Sequence, residues 1–149
     1  MKILHPTDFS DCAARAEALA VDLARKLESE IVLFQTLVET PLYGEGFLTG
    51  ETVTKIYAAQ REWAREKLQA RGDELRRQGI KASWRVESGV PYQEIVKVAA
   101  EESADMIVMG THGRTGLDRL MLGSVAERVV RLAPCAVLTV GPKQPGGSR

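Results

Sequence analysis

Gly110, Gly113, Gly123 and Ser124 stand in a Gly-x2-Gly-x9-Gly-Ser spacing, and residues of these types so arranged are suited to holding an anion. Glycine leaves the backbone without a Cβ, so amides can approach a charged oxygen closely. The first turn of a helix adds N–H groups with no acceptor inside the helix and the positive end of its dipole. The residues before this run, Asp105 to Met109, read as a buried strand, and Val125 to Leu132 read as an amphipathic helix. The glycines therefore fall between a strand end and a helix start. Arg114 and Arg119 place two cations in the same stretch. Glycines after a strand also serve plain turn chemistry. The second glycine, the Gly123-Ser124 pair and the arginines favour a phosphate-bearing guest over that plainer reading.

The spacing differs from the commoner phosphate loops. A P-loop requires Gly-x4-Gly-Lys-Ser/Thr, whose lysine reaches the phosphates, and this chain has no lysine between Lys97 and Lys143. The dinucleotide fingerprint Gly-x-Gly-x-x-Gly belongs after a first strand. Here that strand ends in Pro6-Thr7-Asp8-Phe9-Ser10, without glycine. Asp8 suits two roles: a turn or cap residue before Ser10, and an acceptor for a ribose hydroxyl or a bridging magnesium. Ser124 reads as helix N-cap and phosphate ligand at once.

The remaining reactive side chains argue for quieter roles. Cys12 and Cys135 lie far apart without metal-ligand spacing, which suits a reducing compartment, and Cys12 reads as a small packing residue. His5 and His112 could face one another across a cleft, but no third ligand accompanies them and a metal site is not expected.

These residues need a scaffold, and the chain supplies one domain's worth. Its 149 residues allow about 70% of the unfolded surface to be buried. Twenty Lys plus Arg balance 20 Asp plus Glu, so no overall field favours nucleic acid or an anionic membrane, and any anion site must be local. No apolar run approaches the roughly 20 residues of a membrane-spanning helix, and Met1 to Leu4 is too short for a signal segment. A cytoplasmic protein without nucleic-acid or membrane partners is expected.

Along the chain, Lys2 to His5 reads as a strand stopped by Pro6. Ser10 caps a helix to about Leu27, with Ala13, Ala16, Leu19, Ala20, Leu23, Ala24 and Leu27 on one stripe. Ile31 to Phe34 opens a second strand that ends near Thr36-Leu37, apolar on both faces. Glu39 to Gly50, with Pro41 and three glycines, reads as a long loop beside the ligand. A charged helix from about Glu51 to Gln78 stops at Gly79, with Gly72 marking a bend. Lys81 to Glu87 is a third strand, Pro91 opens a third helix, Met106 to Met109 is the fourth strand and Ala136 to Val140 the fifth. One domain over residues 1–141 is expected, followed by a tail of residues 142–149 with nothing to pack.

Strict alternation of strand and helix implies an α/β fold: a doubly wound parallel sheet of five strands with helices on both faces. Ligands in such sheets bind outside the carboxyl ends of the strands, where the strand order reverses. The polar strand ends are those after the first strand and after the fourth. If both serve one site the two strands are neighbours, and right-handed crossovers then give the order 3-2-1-4-5 rather than 2-1-3-4-5. Ala136 to Val140 becomes an edge strand, almost wholly apolar and without charge or proline, so a homodimer through residues 136–140 is predicted.

Taken together these residues resemble the universal stress protein family. The resemblance rests on Pro-Thr-Asp-Phe-Ser after strand one, the apolar second strand, the Gly89-x-Pro91 helix entry, and above all Gly110-Thr-His-Gly113 through Gly123-Ser124-Val125. The Gly-x2-Gly-x9-Gly-Ser/Thr pattern is that family's ATP-binding mark. The resemblance implies a Rossmann-like fold of the adenine nucleotide alpha hydrolase type. It implies ATP, with magnesium where Asp8 reaches it, as the ligand. By position, Pro6, Thr7 and Asp8 would meet adenine and ribose, Thr36 would line the adenine pocket, and Met109 and Gly110 would back the ribose. Gly113, Gly123, Ser124 and Val125 would hold the phosphates, with Arg114 beside them. At Thr36 many relatives carry an apolar residue, and at Gln35 often a histidine.

Function is then expected to be that of an ATP-binding regulator in stress response, without efficient turnover, since no P-loop lysine or catalytic-loop aspartate is present. The alternative is a slow ATPase or autophosphorylating enzyme acting through His112 or Ser124. A flavin-binding or adenylating protein of related fold is the third reading, and the motifs of the adenylating type are absent.

Overall fold

A computed structural model describes residues 1–38, 50–112 and 122–142 of the chain. Strand and helix alternate throughout: β1 (Lys2–Pro6), α1 (Asp11–Leu27), β2 (Glu30–Leu37), α2 (Gly50–Arg77), β3 (Ala82–Ser88), α3 (Pro91–Glu101), β4 (Met106–Gly110), α4 (Ser124–Leu132) and β5 (Ala136–Val140). The strands form one parallel sheet in the order β3-β2-β1-β4-β5, as the two polar strand ends required. Strand β1 continues one residue further than its proline suggested. Pro6 takes part in the register opposite Phe34, and the Thr7 N–H carries the ladder on to the Phe34 carbonyl at 2.8 Å.

Local chemistry explains the helix ends. Ser10 caps α1 by accepting the Ala13 N–H on its hydroxyl at 3.2 Å, Asp11 complements the dipole in the first turn, and Glu28 closes the helix in a left-handed conformation. The face that α1 buries is built of small residues, Cys12, Ala13, Ala16, Ala20, Val21 and Ala24, so the helix lies close on the sheet. Helix α2 runs without interruption through Gly72, where the sequence suggested a bend. Gly72 is buried, and a Cβ there would touch the Trp84 ring at 3.5 Å, so its use is packing against β3. Arg71 fastens α2 to α1 by pairing with Glu17, and pairs with Glu74 on its own helix at 2.6 Å.

Two apolar layers cover the sheet. Ile3, Ile31, Leu33 and Val108 face α1 and α2, where Ala16, Ala20, Leu68 and Leu75 meet them. Leu4, Val32, Phe34, Ile107 and Met109 face α3 and α4 and meet Ile95, Val98, Ala126 and Val129. Each large aliphatic side chain so buried contributes about 1.5–3 kcal/mol, which is why the central strands read as near-continuous apolar runs.

The two sheet edges are treated differently. On β3, Arg76 of α2 donates to the Ala82 carbonyl at 2.5 Å and Arg61 to the Val86 carbonyl at 3.5 Å, so helix arginines occupy that edge. On β5, the Val140 carbonyl accepts inward from Thr111 N–H, which by parallel-ladder geometry turns the backbone groups of Val137 and Thr139 outward.

Candidate functional site

The sheet reverses its winding between β1 and β4: β1 leads by way of α1 to β2 on one side, and β4 by way of α4 to β5 on the other. The chain leaves β1 through Thr7-Asp8-Phe9-Ser10. The Phe9 N–H donates to the Thr7 hydroxyl at 3.1 Å and the Ser10 N–H to Asp8 Oδ1 at 3.0 Å. These two bonds stabilise Phe9 at φ 60, a left-handed conformation unusual for a bulky residue. Its ring meets Trp63 of α2 edge-on at 5.5 Å. The turn is therefore fixed at both its backbone and its aromatic side chain, and Asp8 is held at the mouth of the crevice.

The chain leaves β4 at Gly110. A Cβ there would lie 3.0 Å from the Cys12 carbonyl carbon and 3.2 Å from the Ala13 nitrogen, so this glycine lets the start of α1 sit directly on β4. Thr111 follows and is held through its backbone and its side chain. Its N–H donates to Val140 O at 2.9 Å, its carbonyl accepts the Gly123 N–H at 2.9 Å, and its hydroxyl lies 2.7 Å from His112 Nδ1. The sequence reading passed over Thr111. The only local hint was its place between a strand end and the second glycine.

Gly123, rather than Ser124, is the N-cap of α4. The cause is space: a Cβ on Gly123 would stand 2.5 Å from the Thr111 carbonyl oxygen. Ser124 is thereby the first helical residue, exposed, and the cap makes no side-chain hydrogen bond. The Gly123 amide is spent on Thr111, and the first intrahelical bond runs from Glu127 N–H to Gly123 O. The amides of Ser124 and Val125 thus lack an acceptor inside the helix, at the positive end of its dipole. Gly113, Arg114 and Arg119 lie outside the described residues, as do residues 39–49 of the loop expected from Glu39 to Gly50, while Gly50 itself opens α2.

Register places the other expected residues on one face. Leu4 pairs with Val32 and with Ile107, so Pro6, Phe34 and Met109 follow two positions on along their strands, on the α3/α4 side. All three are buried, at the carboxyl ends of their strands. Thr36 continues that face one step further along β2, and its Oγ1 is shielded from solvent without a hydrogen-bond partner. Thr7 and Gln35 belong to the opposite face, below α1 and α2, and both are buried.

The histidines do not form a pair. His5 is fully buried on the α1/α2 side, 2.8 Å through Nδ1 from the Val108 carbonyl. A carbonyl only accepts, so Nδ1 carries the proton and Nε2 is left as a buried acceptor without a partner. Burial pushes the His5 pKa below its usual value, which keeps the ring neutral. Among the described residues no three His, Cys, Asp or Glu side chains group as a metal site. Cys12 is buried and donates its thiol to Val140 O at 3.0 Å, a packing and bonding role. No helix among the described residues is long and apolar enough to cross a membrane.

Known proteins share this fold. A universal stress protein from Methanocaldococcus jannaschii, MJ0531, is 37% identical over 142 residues, covering 93% of this chain and 81% of its own length. The solved structure of the hypothetical protein MJ0577 superposes with a TM-score of 0.84 at 33% identity, covering 96% of each chain. The structure of a universal stress protein from Archaeoglobus fulgidus in complex with dAMP superposes with a TM-score of 0.63 at 25% identity, covering 94% of this chain and 97% of that one. The model of the Universal stress protein family matches residues 1–141, and the chain belongs to that family.

Proposed function

We propose that the crevice between the β1 and β4 strand ends binds ATP, and that the protein acts as a nucleotide-dependent regulator in stress response without efficient turnover. The observation that carries the reading is the α4 terminus. Gly123 surrenders both its side chain and its amide to Thr111, which leaves the Ser124 and Val125 amides and the Ser124 hydroxyl to meet an anion. The base is placed beside Pro6, Thr7 and Thr36 at the strand ends, with Met109 and Gly110 behind the ribose and Asp8 as an acceptor for ribose hydroxyls. Gly113 and Arg114 belong to the same proposed phosphate contact by their place in the sequence. The dAMP held by the Archaeoglobus relative supports an adenine nucleotide.

The residues present also fit magnesium brought in with the nucleotide. That ion keeps most of its waters and needs only one or two carboxylates beside phosphate oxygens, a demand that Asp8 meets singly. Two free cysteines suit the cytoplasm. A homodimer through residues 136–140 is part of the same proposal, supported by the outward backbone groups of β5 and the arginine-occupied edge of β3.

Calorimetric titration with ATP and GTP tests the reading. ATP is expected to bind in preference to GTP, with no more than slow release of phosphate over hours. Absence of ATP binding, or equal affinity for GTP, overturns the nucleotide assignment, and rapid turnover overturns the regulatory one.

A further inference from the structure

Phe9 stands between Asp8 and the α1 cap Ser10 at φ 60, a left-handed conformation that glycine would adopt without strain. A bulky side chain kept at such a place has to be stabilised by what its ring touches. The ring packs on the apolar layer under α1 and α2 and meets the Trp63 ring edge-on, with centroids 5.5 Å apart and planes at 83°. Trp63 belongs to α2, a helix outside the proposed nucleotide contacts, and is 43% exposed, more than a core role alone would require.

The backbone of Phe9 governs the aim of Asp8. The Ser10 N–H and Asp8 Oδ1, 3.0 Å apart, stand on opposite sides of the Phe9 N–Cα bond, so the φ of Phe9 sets their separation. A turn to negative φ would part them and swing the carboxylate away from the α1 cap. Holding the Phe9 ring therefore holds the carboxylate. Trp63 is in turn fixed by its own helix: Ala64 beside it is fully buried, Arg61 donates to Ser88 Oγ at 2.7 Å at the end of β3, and Lys67 Nζ lies 5.7 Å from the Trp63 ring centroid.

We propose that Trp63 is a positioning residue for nucleotide recognition: through the Phe9 ring it fixes the backbone that aims the Asp8 carboxylate at the ribose hydroxyls. This rests on the nucleotide reading above and deepens it, by assigning part of the selectivity of the crevice to the surface of α2.

Dideoxy-ATP lacks both ribose hydroxyls, so the ratio of its affinity to that of ATP reads the Asp8 contact and cancels any general weakening. Calorimetry measures that ratio for the unaltered protein, Trp63→Ala, Trp63→Leu, Trp63→Phe and Asp8→Ala, and for Asp8→Ala combined with Trp63→Ala. Trp63→Leu keeps apolar bulk without an aromatic edge, so the ratio stays readable where alanine destabilises the chain. The unaltered protein is expected to favour ATP by about tenfold, and Trp63→Ala and Trp63→Leu by about threefold or less. Trp63→Phe is expected to restore most of the preference and Asp8→Ala to abolish it. Trp63→Ala is expected to add nothing to Asp8→Ala, since a residue acting through Asp8 has no effect once the carboxylate is gone.

An unchanged ratio in Trp63→Ala and Trp63→Leu overturns the proposal, including where both affinities fall together. A ratio that falls as far in Trp63→Phe as in Trp63→Ala overturns the aromatic contact as its means. A further effect of Trp63→Ala in the Asp8→Ala background overturns the route through Asp8. Equal affinities for ATP and dideoxy-ATP in the unaltered protein overturn this proposal while the nucleotide reading stands. Failure of the unaltered protein to bind either nucleotide overturns both.

Discussion

Gly123 and Thr111 are joined twice over: the glycine N–H reaches the threonine carbonyl at 2.9 Å, and the space where a Cβ would stand lies 2.5 Å from that same oxygen. The contact is between backbone atoms, so neither partner can turn aside as a flexible side chain would. It fixes where α4 begins relative to the end of β4, and hence where the Ser124 and Val125 amides are presented.

Replacing Gly123 with alanine is expected to move the α4 terminus away from β4. Stability should fall by about 1–3 kcal/mol, as for other overpacked sites, and ATP affinity should fall with it. Urea unfolding and calorimetry measure the two. Alanine accepted without loss of either would mean that the Thr111 contact does not set the site.

His5 gives a pH dependence whose sign can be worked out. The folded protein holds the ring neutral with a lowered pKa, while the unfolded chain titrates near the usual value of about 6.5. Below that value the unfolded state binds the extra proton and the folded state does not. The contribution is therefore complete above about pH 6.5 and is lost as pH falls toward the folded pKa. Urea unfolding at pH 7.5 and 5.5 should show a decline that is smaller in His5→Leu, even though that variant is less stable overall. An unchanged slope in the variant would remove His5 as its source.

Thr139 tests the proposed dimer. Its N–H points away from β4, so Thr139→Pro removes an outward donor and leaves the inward ladder intact. Light scattering should give a dimer mass for the unaltered chain and a monomer mass for the variant at micromolar concentration. A monomeric unaltered chain refutes the dimer, and a dimeric variant moves the interface elsewhere.

Much of the fold was legible because it depends on pattern. The apolar runs at Ile31–Phe34 and Met106–Met109, the Ser10 cap and the Pro91 entry are local signals, and requiring two polar strand ends to be neighbours ordered the sheet. What stayed hidden depends on atoms brought together from distant positions. The cap of α4 fell on Gly123 rather than Ser124, against an oxygen twelve residues earlier. Gly72 looked like a bend because the sequence does not show Trp84 lying against it. The buried bond from His5 to Val108 spans strands that only the topology makes adjacent. Thr111 looked unremarkable because, of its partners Val140, Gly123, Cys12 and His112, only the last is a sequence neighbour.

The arginines laid along β3 have a bearing on how far association can run. Arg61 and Arg76 already occupy carbonyls that another strand would need, so β3 is a poor template for a second chain. A sheet open at both edges could add copies at each end without limit and grow into a fibre. A sheet that pairs only at β5, as proposed above, offers a single joint, and two copies meeting there across a two-fold axis present only their arginine-lined edges outward. Assembly then stops at a pair, and removing the two guanidinium groups is the change that would give the sheet a second growing end.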